Sequence, residues 1–227
     1  MNRERRIRDQ YEAEDHANTY ADQRWTETLH AQKTHRWELS AVEHLLQRAQ
    51  KLNAHPIRRI LDMPCGYGRL AHLLSRYSQS LIQADLAMAM LLRREGKSSG
   101  SDEAGNTSAS GPLAMQASLF QIPLKDQAVD LCFCMRVLHH FPDAEARVNI
   151  LTELSRVSGK FAIASYYDAS AFPHLRDRLR KRKRTLTPVS HATFAAEANA
   201  AGFKIVEKRF RRRWFSFQVL ALLQKVD

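Results

Sequence analysis

No run of 18 apolar residues occurs in the 227-residue chain, so no segment has the length and hydrophobicity of a bilayer-spanning helix. The opening MNRERRIRDQ is charged and lacks an apolar stretch, so no secretory leader is expected. Cysteine is scarce: Cys65, Cys132 and Cys134. They form no C-x-x-C pair, and no metal site is expected. An odd number of thiols without an export signal reads as reduced and cytoplasmic. Acidic residues are few late in the chain. Between His174 and Arg213 thirteen Lys/Arg stand against three acids (Asp177, Glu197, Glu207), which accounts for most of the formal net charge of +11. Such a stretch attracts phosphate, an anionic lipid surface or nucleic acid, or it is a solvated face that keeps the chain soluble.

What is present alternates between strands and helices. Residues 3 to about 52 read as helical, with Leu39, Val42, Leu46, Ala49 and Leu52 at helical spacing and Pro56 closing the region. The polar part YEAEDHANTYADQRW suits an arm or lid, so residues 1–54 are taken as an N-terminal helical arm and 55–227 as the main domain. From Arg58 the order is RRILDMP (strand), a helix to about Tyr77, SLIQADL (strand), a short helix, and a Gly/Ser-rich loop at 96–111. PLAMQAS and VDLCFCM are the next strands, the second a continuous apolar run of the kind buried on both faces of a parallel sheet. A helix after Pro142 and the strand FAIASYY follow. Ser190 and Gly202 bracket a last helix. KIVEKRF and FSFQVLALL are too close together to be parallel neighbours. The expected class is α/β: an open, mostly parallel sheet with an antiparallel C-terminal strand and helices on both faces.

The stretch ILDMPCGYGRLAHLL, residues 60–74, joins a strand to a helix through Gly66 and Gly68. G-x-G-x-x-A lets the backbone turn sharply and lets a ligand come close. Asp85 lies nineteen residues past Gly66, at the end of the second strand, where an acid accepts hydrogen bonds from ribose hydroxyls. Asp62, just before the turn, separates two nucleotide readings. A dinucleotide sets its pyrophosphate against the helix N-terminus, and an acid there repels it. An adenosyl sulfonium compound brings a sulfonium and an ammonium instead, and Asp62 can pair with the ammonium. The alternative role of Asp62 is to cap the turn.

With these residues the sequence resembles the class I S-adenosylmethionine-dependent methyltransferases, especially the small-molecule type that includes ubiquinone and menaquinone C-methyltransferases. LDMPCGYG resembles their first motif, ADLAMAML their second, and LFQIPLKDQAVDLCFCMRVLHHF the stretch carrying the third and fourth. The likeness spans roughly residues 55–165 by motif and the whole chain by order of elements. It implies a Rossmann-like fold, S-adenosyl-L-methionine as cofactor, and methyl transfer to a small-molecule or lipid-type acceptor. The implied cofactor residues are Asp62, Gly66, Gly68, Asp85, Leu86, Ser118, Leu119 and Met135, with Tyr20 closing from the arm. Ser118 stands where the family has an Asp for the adenine amino group, a weaker acceptor.

Methyl transfer is an in-line displacement in which the protein mainly aligns and desolvates. His139 and His140, after the fourth strand, are the candidate bases. Arg136, Tyr166 and Tyr167 are expected to meet the acceptor, with core packing the competing role for the tyrosines. Cys132 and Cys134 read as packing. The insertion 168–188, with HLRDRLRKRKRT, is expected to cover the acceptor, which favours an anionic acceptor or one presented at a membrane periphery. An RNA or protein methyltransferase docking through 174–213, and a non-catalytic binding protein with Ser118 as its support, remain as alternatives. Aromatics are not interleaved with the charges, so base stacking has little support. The absence of N/D-P-P-Y after the fourth strand argues against methylation of base or glutamine amino groups.

Overall fold

The computed structural model describes residues 5, 6, 8, 9, 28–95, 113–171, 186–211 and 217–226. Tyr20, the 96–111 loop and residues 172–185 of the basic insertion lie outside the described residues. The elements are α1 (Leu29–Leu52), β1 (Arg59–Asp62), α2 (Ala71–Ser75), β2 (Ser80–Asp85), α3 (Met88–Glu95), β3 (Leu113–Gln116), β4 (Val129–Cys134), α4 (Ala144–Val157), β5 (Ser158–Tyr167), α5 (His191–Ala200), β6 (Phe203–Phe210) and β7 (Gln218–Lys225).

One seven-stranded sheet runs β3-β2-β1-β4-β5-β7-β6. The pairs β1–β2, β1–β4, β2–β3 and β4–β5 are parallel. β7 enters antiparallel between β5 and β6, so a single strand runs against the rest. The short link after β6 forces that reversal.

The sheet carries a core on each face. On one face Cys132, Cys134, Ala162, Ala164, Val219 and Ala221 meet Ile150, Leu151 and Leu154 of α4 and Phe194 and Ala198 of α5. On the other, Ile60, Leu131, Phe161, Ile163, Leu220 and Leu222 meet Ala41, Val42, Leu45, Leu46 and Ala49 of α1. The period-two alternation of the strands divides these sets between the faces. It also explains why VDLCFC and VLALL read as unbroken apolar runs. Val219, Ala221 and Leu223 share one face of β7, and Leu220 and Leu222 bury the opposite face as well.

α1 keeps the expected helical spacing, with Val42, Leu46 and Ala49 buried against the sheet and Leu39 and Leu52 packed beside them, while the stretch YEAEDHANTYADQRW expected to form a lid lies outside the described residues. Thr28 caps its start by accepting from Ala31 N at 3.1 Å. α2 is shorter than expected and ends at Ser75, with Tyr77 packed just beyond it. α5 is capped by Ser190 Oγ, which accepts from Thr193 N at 3.0 Å, and it stops before Gly202 at φ 80°. Among the described residues no helix is long and apolar enough to cross a membrane.

Candidate functional site

The central cavity opens beyond the C-terminal ends of β1, β2 and β4, where an open α/β sheet places its ligand. The β1 turn contributes Asp62 to Tyr67 and Arg69. Asp85 and Leu86 come from the end of β2, Ala117 and Leu119 from beyond β3, and Met135, Arg136, Val137 and His140 from beyond β4.

The turn depends on its glycines. Gly66 sits at φ 56° and Gly68 at φ 77°, a region that residues with a Cβ enter at a cost. No atom lies within 4 Å of where a Cβ on Gly66 would stand, so the backbone angle, not crowding, is what requires glycine there. Asp85 fastens the turn. Its Oδ2 accepts from Gly66 N at 2.8 Å and its Oδ1 from Ala87 N at 3.0 Å.

Asp62 behaves differently. It is 3% exposed and lines the cavity. Its one described hydrogen bond is from Gln83 Nε2, at a long 3.4 Å. Burial pushes its carboxyl up to about 7, with Asp85 adding to the rise and Gln83 and the charge of Arg69 opposing it. The turn-capping role considered for Asp62 therefore belongs to Asp85. Asp62 is a buried acid aimed at the cavity, and a ligand cation suits it.

A second buried acid enters from α1 and gathers two arginines of the cavity wall. The buried stripe Ala41, Val42, Leu45, Leu46, Ala49 continues one turn toward the N-terminus to Glu38, which is fully buried. Glu38 Oε2 accepts from Arg69 Nη2 at 2.7 Å and Oε1 from Arg136 Nη1 at 3.0 Å. Arg69 Nη1 also bonds His35 Nδ1. Arg136 sits in the left-handed region at φ 61°, uncommon for a residue with a side chain and more frequent at functional sites. Its N–H donates to Ser165 Oγ at 2.6 Å. Glu38, His35 and Arg69 were not singled out from the sequence. The signal for Glu38 was an acid at a position that the apolar period of α1 assigns to the core.

Of the sequence-selected residues, Asp62, Gly66, Asp85, Leu86, Leu119, Met135, Arg136 and His140 line one cavity. Gly68 shapes the turn without lining it. Ser118 is not in the wall, and its Oγ accepts from Phe120 N at 3.1 Å. His139 is buried and does not line the cavity. Its ring stacks on Tyr167 at 4.0 Å and 6° between planes. Tyr166 is a core residue, contrary to the acceptor role expected of it. It is 1% exposed, stacked on Phe194 at 4.0 Å, with its hydroxyl 2.6 Å from His191 Nδ1. Period two decides this: Tyr166 shares the buried face of Ala162 and Ala164, whereas Tyr167 points the other way and remains partly exposed. Cys132 and Cys134 are buried free thiols, pushed far above the ordinary thiol range by burial, which suits packing and not nucleophilic chemistry.

A glycine turn with an acid on either side of it, at the switch point of a parallel sheet with one reversed strand, is an arrangement that suits an adenosyl ligand. Residues 61–163 match the family described as "Methyltransferase domain", and S-adenosylmethionine-dependent methyltransferases are among the solved structures with the same fold. The fold of the chain is that of the magnesium protoporphyrin IX methyltransferase of Synechocystis PCC 6803 with bound S-adenosylhomocysteine. The TM-score is 0.76 at 16% identity, over 97% of this chain and 99% of that one. A putative methyltransferase of Haloferax volcanii, in complex with the Trm112 methyltransferase activator, matches with TM-score 0.66 at 15% identity over 97% and 98%. A possible histamine N-methyltransferase of Thermotoga maritima matches with TM-score 0.61 at 18% identity over 95% and 99%. No curated protein matches the chain. The structural matches show the fold, and none of them singles out the quinone-methylating subgroup.

Proposed function

We propose that the chain transfers a methyl group from S-adenosylmethionine to a small-molecule or lipid-type acceptor bearing an anionic group. The observation that carries this reading is Asp62: a buried carboxylate with one long hydrogen bond, held up to about 7 by burial and lining the cavity beside the glycine turn. An ammonium replaces the solvation that this carboxylate lacks, whereas a pyrophosphate adds to the repulsion.

When bound, the cofactor supplies an electrophilic methyl group on a sulfonium leaving group. The residues of the chain hold and align it. Asp62 receives the ammonium, and the turn at Gly66 and Gly68 brings backbone against the tail. Asp85, already fastened to Gly66 and Ala87, presents its carboxylate to the ribose, since such a group has about four acceptor sites. Leu86, Leu119 and Met135 supply apolar wall for the adenine. Arg136 brings a cation to the acceptor side, and His140 takes a proton where the acceptor must lose one. Alignment of this kind supplies roughly 7–11 kcal/mol of a displacement barrier.

The test is an incubation of the protein with methyl-labelled cofactor and a fractionated cell extract. Label is expected in a small, acidic or lipid-soluble product one methylene heavier than its precursor. Label found in RNA or protein alone, or never leaving the cofactor, overturns the proposal.

A further inference from the structure

We propose that Glu153 and Arg156 of α4 are positioning residues for the base of the ligand. They grip, from outside the cavity, the segment that walls the base, and through it they set how strongly the site prefers a ligand that carries one. The inference rests on the cofactor reading above and adds to it the pair that holds this wall in place.

Between β3 and β4 the chain forms an arch from Ala117 to Ile122, and two of its residues, Ala117 and Leu119, line the cavity. One foot is pinned to the end of β2, where Ala117 N donates to Asp85 O at 3.0 Å. The other foot, Ile122, lies outside the strands, so its backbone needs partners of another kind. α4 supplies them. Glu153 Oε1 accepts from Ile122 N at 2.7 Å, and Arg156 Nη2 donates to Ile122 O at 2.9 Å. Two side chains thus take both backbone groups of one residue, as a paired strand would. Arg156 Nη1 extends the grip to Leu124 O and to Asp126 Oδ1, each at 2.8 Å.

Glu153 and Arg156 stand three residues apart on one helix face, and they lock each other. Arg156 Nε meets Oε2 at 2.8 Å and Nη2 meets Oε1 at 2.6 Å, a fork on a fork that fixes both planes. Arg156 also holds the Glu153 carboxyl below its ordinary range, so the clamp stays charged at neutral pH. Inside the arch the bonds are local: Gln121 N to Ser118 O at 3.2 Å and Phe120 N to Ser118 Oγ at 3.1 Å. A turn bonded to itself keeps its shape, so its two feet decide where Leu119 stands. Phe120 packs edge-on against Phe141, another wall residue, at 5.5 Å, and a shift of the arch reaches that wall too. Neither Glu153 nor Arg156 lines the cavity, so both act on the ligand only through the arch.

Titration calorimetry on the full-length protein tests this with two ligands, by displacement where the direct heat is small. One is S-adenosylhomocysteine. The other is S-ribosylhomocysteine, which keeps ribose, sulfur and amino-acid tail but has no base. The wild type is expected to prefer the first about tenfold or more, since the base buries apolar area against the wall. Glu153→Ala removes the acceptor of Ile122 N and unlocks Arg156. It is expected to cut the preference to about a third or less, with affinity for the base-free ligand within about twofold of wild type. Glu153→Gln keeps an oxygen for Ile122 N and is expected to restore most of the preference. Should Glu153→Ala fold poorly, Arg156→Lys takes its place: a lysine cannot span the carbonyls of Ile122 and Leu124, and a smaller loss in the same direction is expected. Glu197→Ala, which loosens α4 from α5 but leaves the clamp intact, is expected to keep the wild-type preference. An unchanged preference in the clamp variant, or an equal loss for both ligands, assigns the pair a purely structural role and overturns the inference. So does a matching loss of preference in Glu197→Ala, or a wild type that binds both ligands equally. Failure of the wild type to bind either ligand overturns the cofactor reading itself.

Discussion

Two buried glutamates each hold arginine in this protein, on opposite faces of the sheet, and they solve different problems. Between α4 and α5, Glu197 takes both Nε and Nη2 of Arg147, whose Nη1 donates to the carbonyls of Phe141 and Pro142 at 2.8 Å. One charge meets one charge, both side chains are about 5% exposed, and the pair is closed. On the other face Glu38 serves two arginines, and both of those line the cavity. A balanced buried pair fastens two helices and asks for nothing more. Arginines that line a cavity stand where a ligand can meet them. Buried charge is costly in either place, and the difference lies in what completes it.

The largest effect that can break this contrast is at Glu197. Glu197→Ala leaves Arg147 buried without its carboxylate, and a loss of about 3–5 kcal/mol in unfolding free energy is expected by urea titration. Affinity for S-adenosylhomocysteine, measured well below the transition, should stay within about twofold, as distant sites behave independently. A tenfold loss would show that the closed pair also shapes the cavity, and the contrast would not stand.

Asp62 gives the next effect, with opposite signs for stability and binding. Its folded pKa of about 7 lies above its ordinary 3.8. The folded chain keeps this proton longer than the unfolded one. The stability the group contributes is therefore full below pH about 4 and lost as pH rises through about 7. At pH 8 the ionised, buried carboxylate weighs on the unliganded fold. Asp62→Asn removes that burden, so the unliganded variant should melt higher than wild type at pH 8, by on the order of 2 kcal/mol. The same change should cost about 100-fold in S-adenosylhomocysteine affinity, since a charge-assisted contact is lost. A variant that melts lower and binds normally would mean that Asp62 is a structural acid.

A pH series sharpens the same point. Only ionised Asp62 attracts an ammonium, so affinity should fall about tenfold per pH unit on going below pH 7, and Asp62→Asn should flatten the profile. A wild-type profile already flat from pH 5 to 8 would place the ligand cation elsewhere.

Much of the cavity was legible because its chemistry is written in short-range sequence. A strand, two glycines with positive φ, a helix, and an acid at the end of the next strand lie within 26 residues, from Ile60 to Asp85. The reversed strand was legible from the brevity of a link. What was missed comes from long-range pairing. Glu38 meets Arg69 and Arg136 across 31 and 98 positions, and Arg147 meets Glu197 across 50. No local motif announces such pairs. Each does leave a trace, a charged residue on the apolar stripe of its helix: Glu38 beside Ala41 and Val42, Arg147 beside Ile150 and Leu151. Tyr166 was misassigned for a related reason. Which of two adjacent tyrosines at the end of β5 packs into the core depends on pleat parity, which residue type does not reveal, and neither lines the cavity.

The smallest effect tests where the uncharged end of the cavity stops. Ser118 stands where the family resemblance implies an acid for the adenine, and its hydroxyl accepts from Phe120 N, inside a turn whose neighbours Ala117 and Leu119 form part of the wall. Ser118→Ala should therefore cost about 1 kcal/mol of stability through the lost turn bond and leave S-adenosylhomocysteine affinity nearly unchanged. Ser118→Asp keeps an oxygen for Phe120 N and adds a charge-assisted acceptor. If it tightens adenosyl binding severalfold, the adenine amino group lies within reach of position 118, and the apolar wall of Leu86, Leu119 and Met135 holds the base without help that the backbone already makes room for. If neither substitution moves the affinity, adenine selectivity rests on shape alone, and the charged groups of this site are concentrated on the tail.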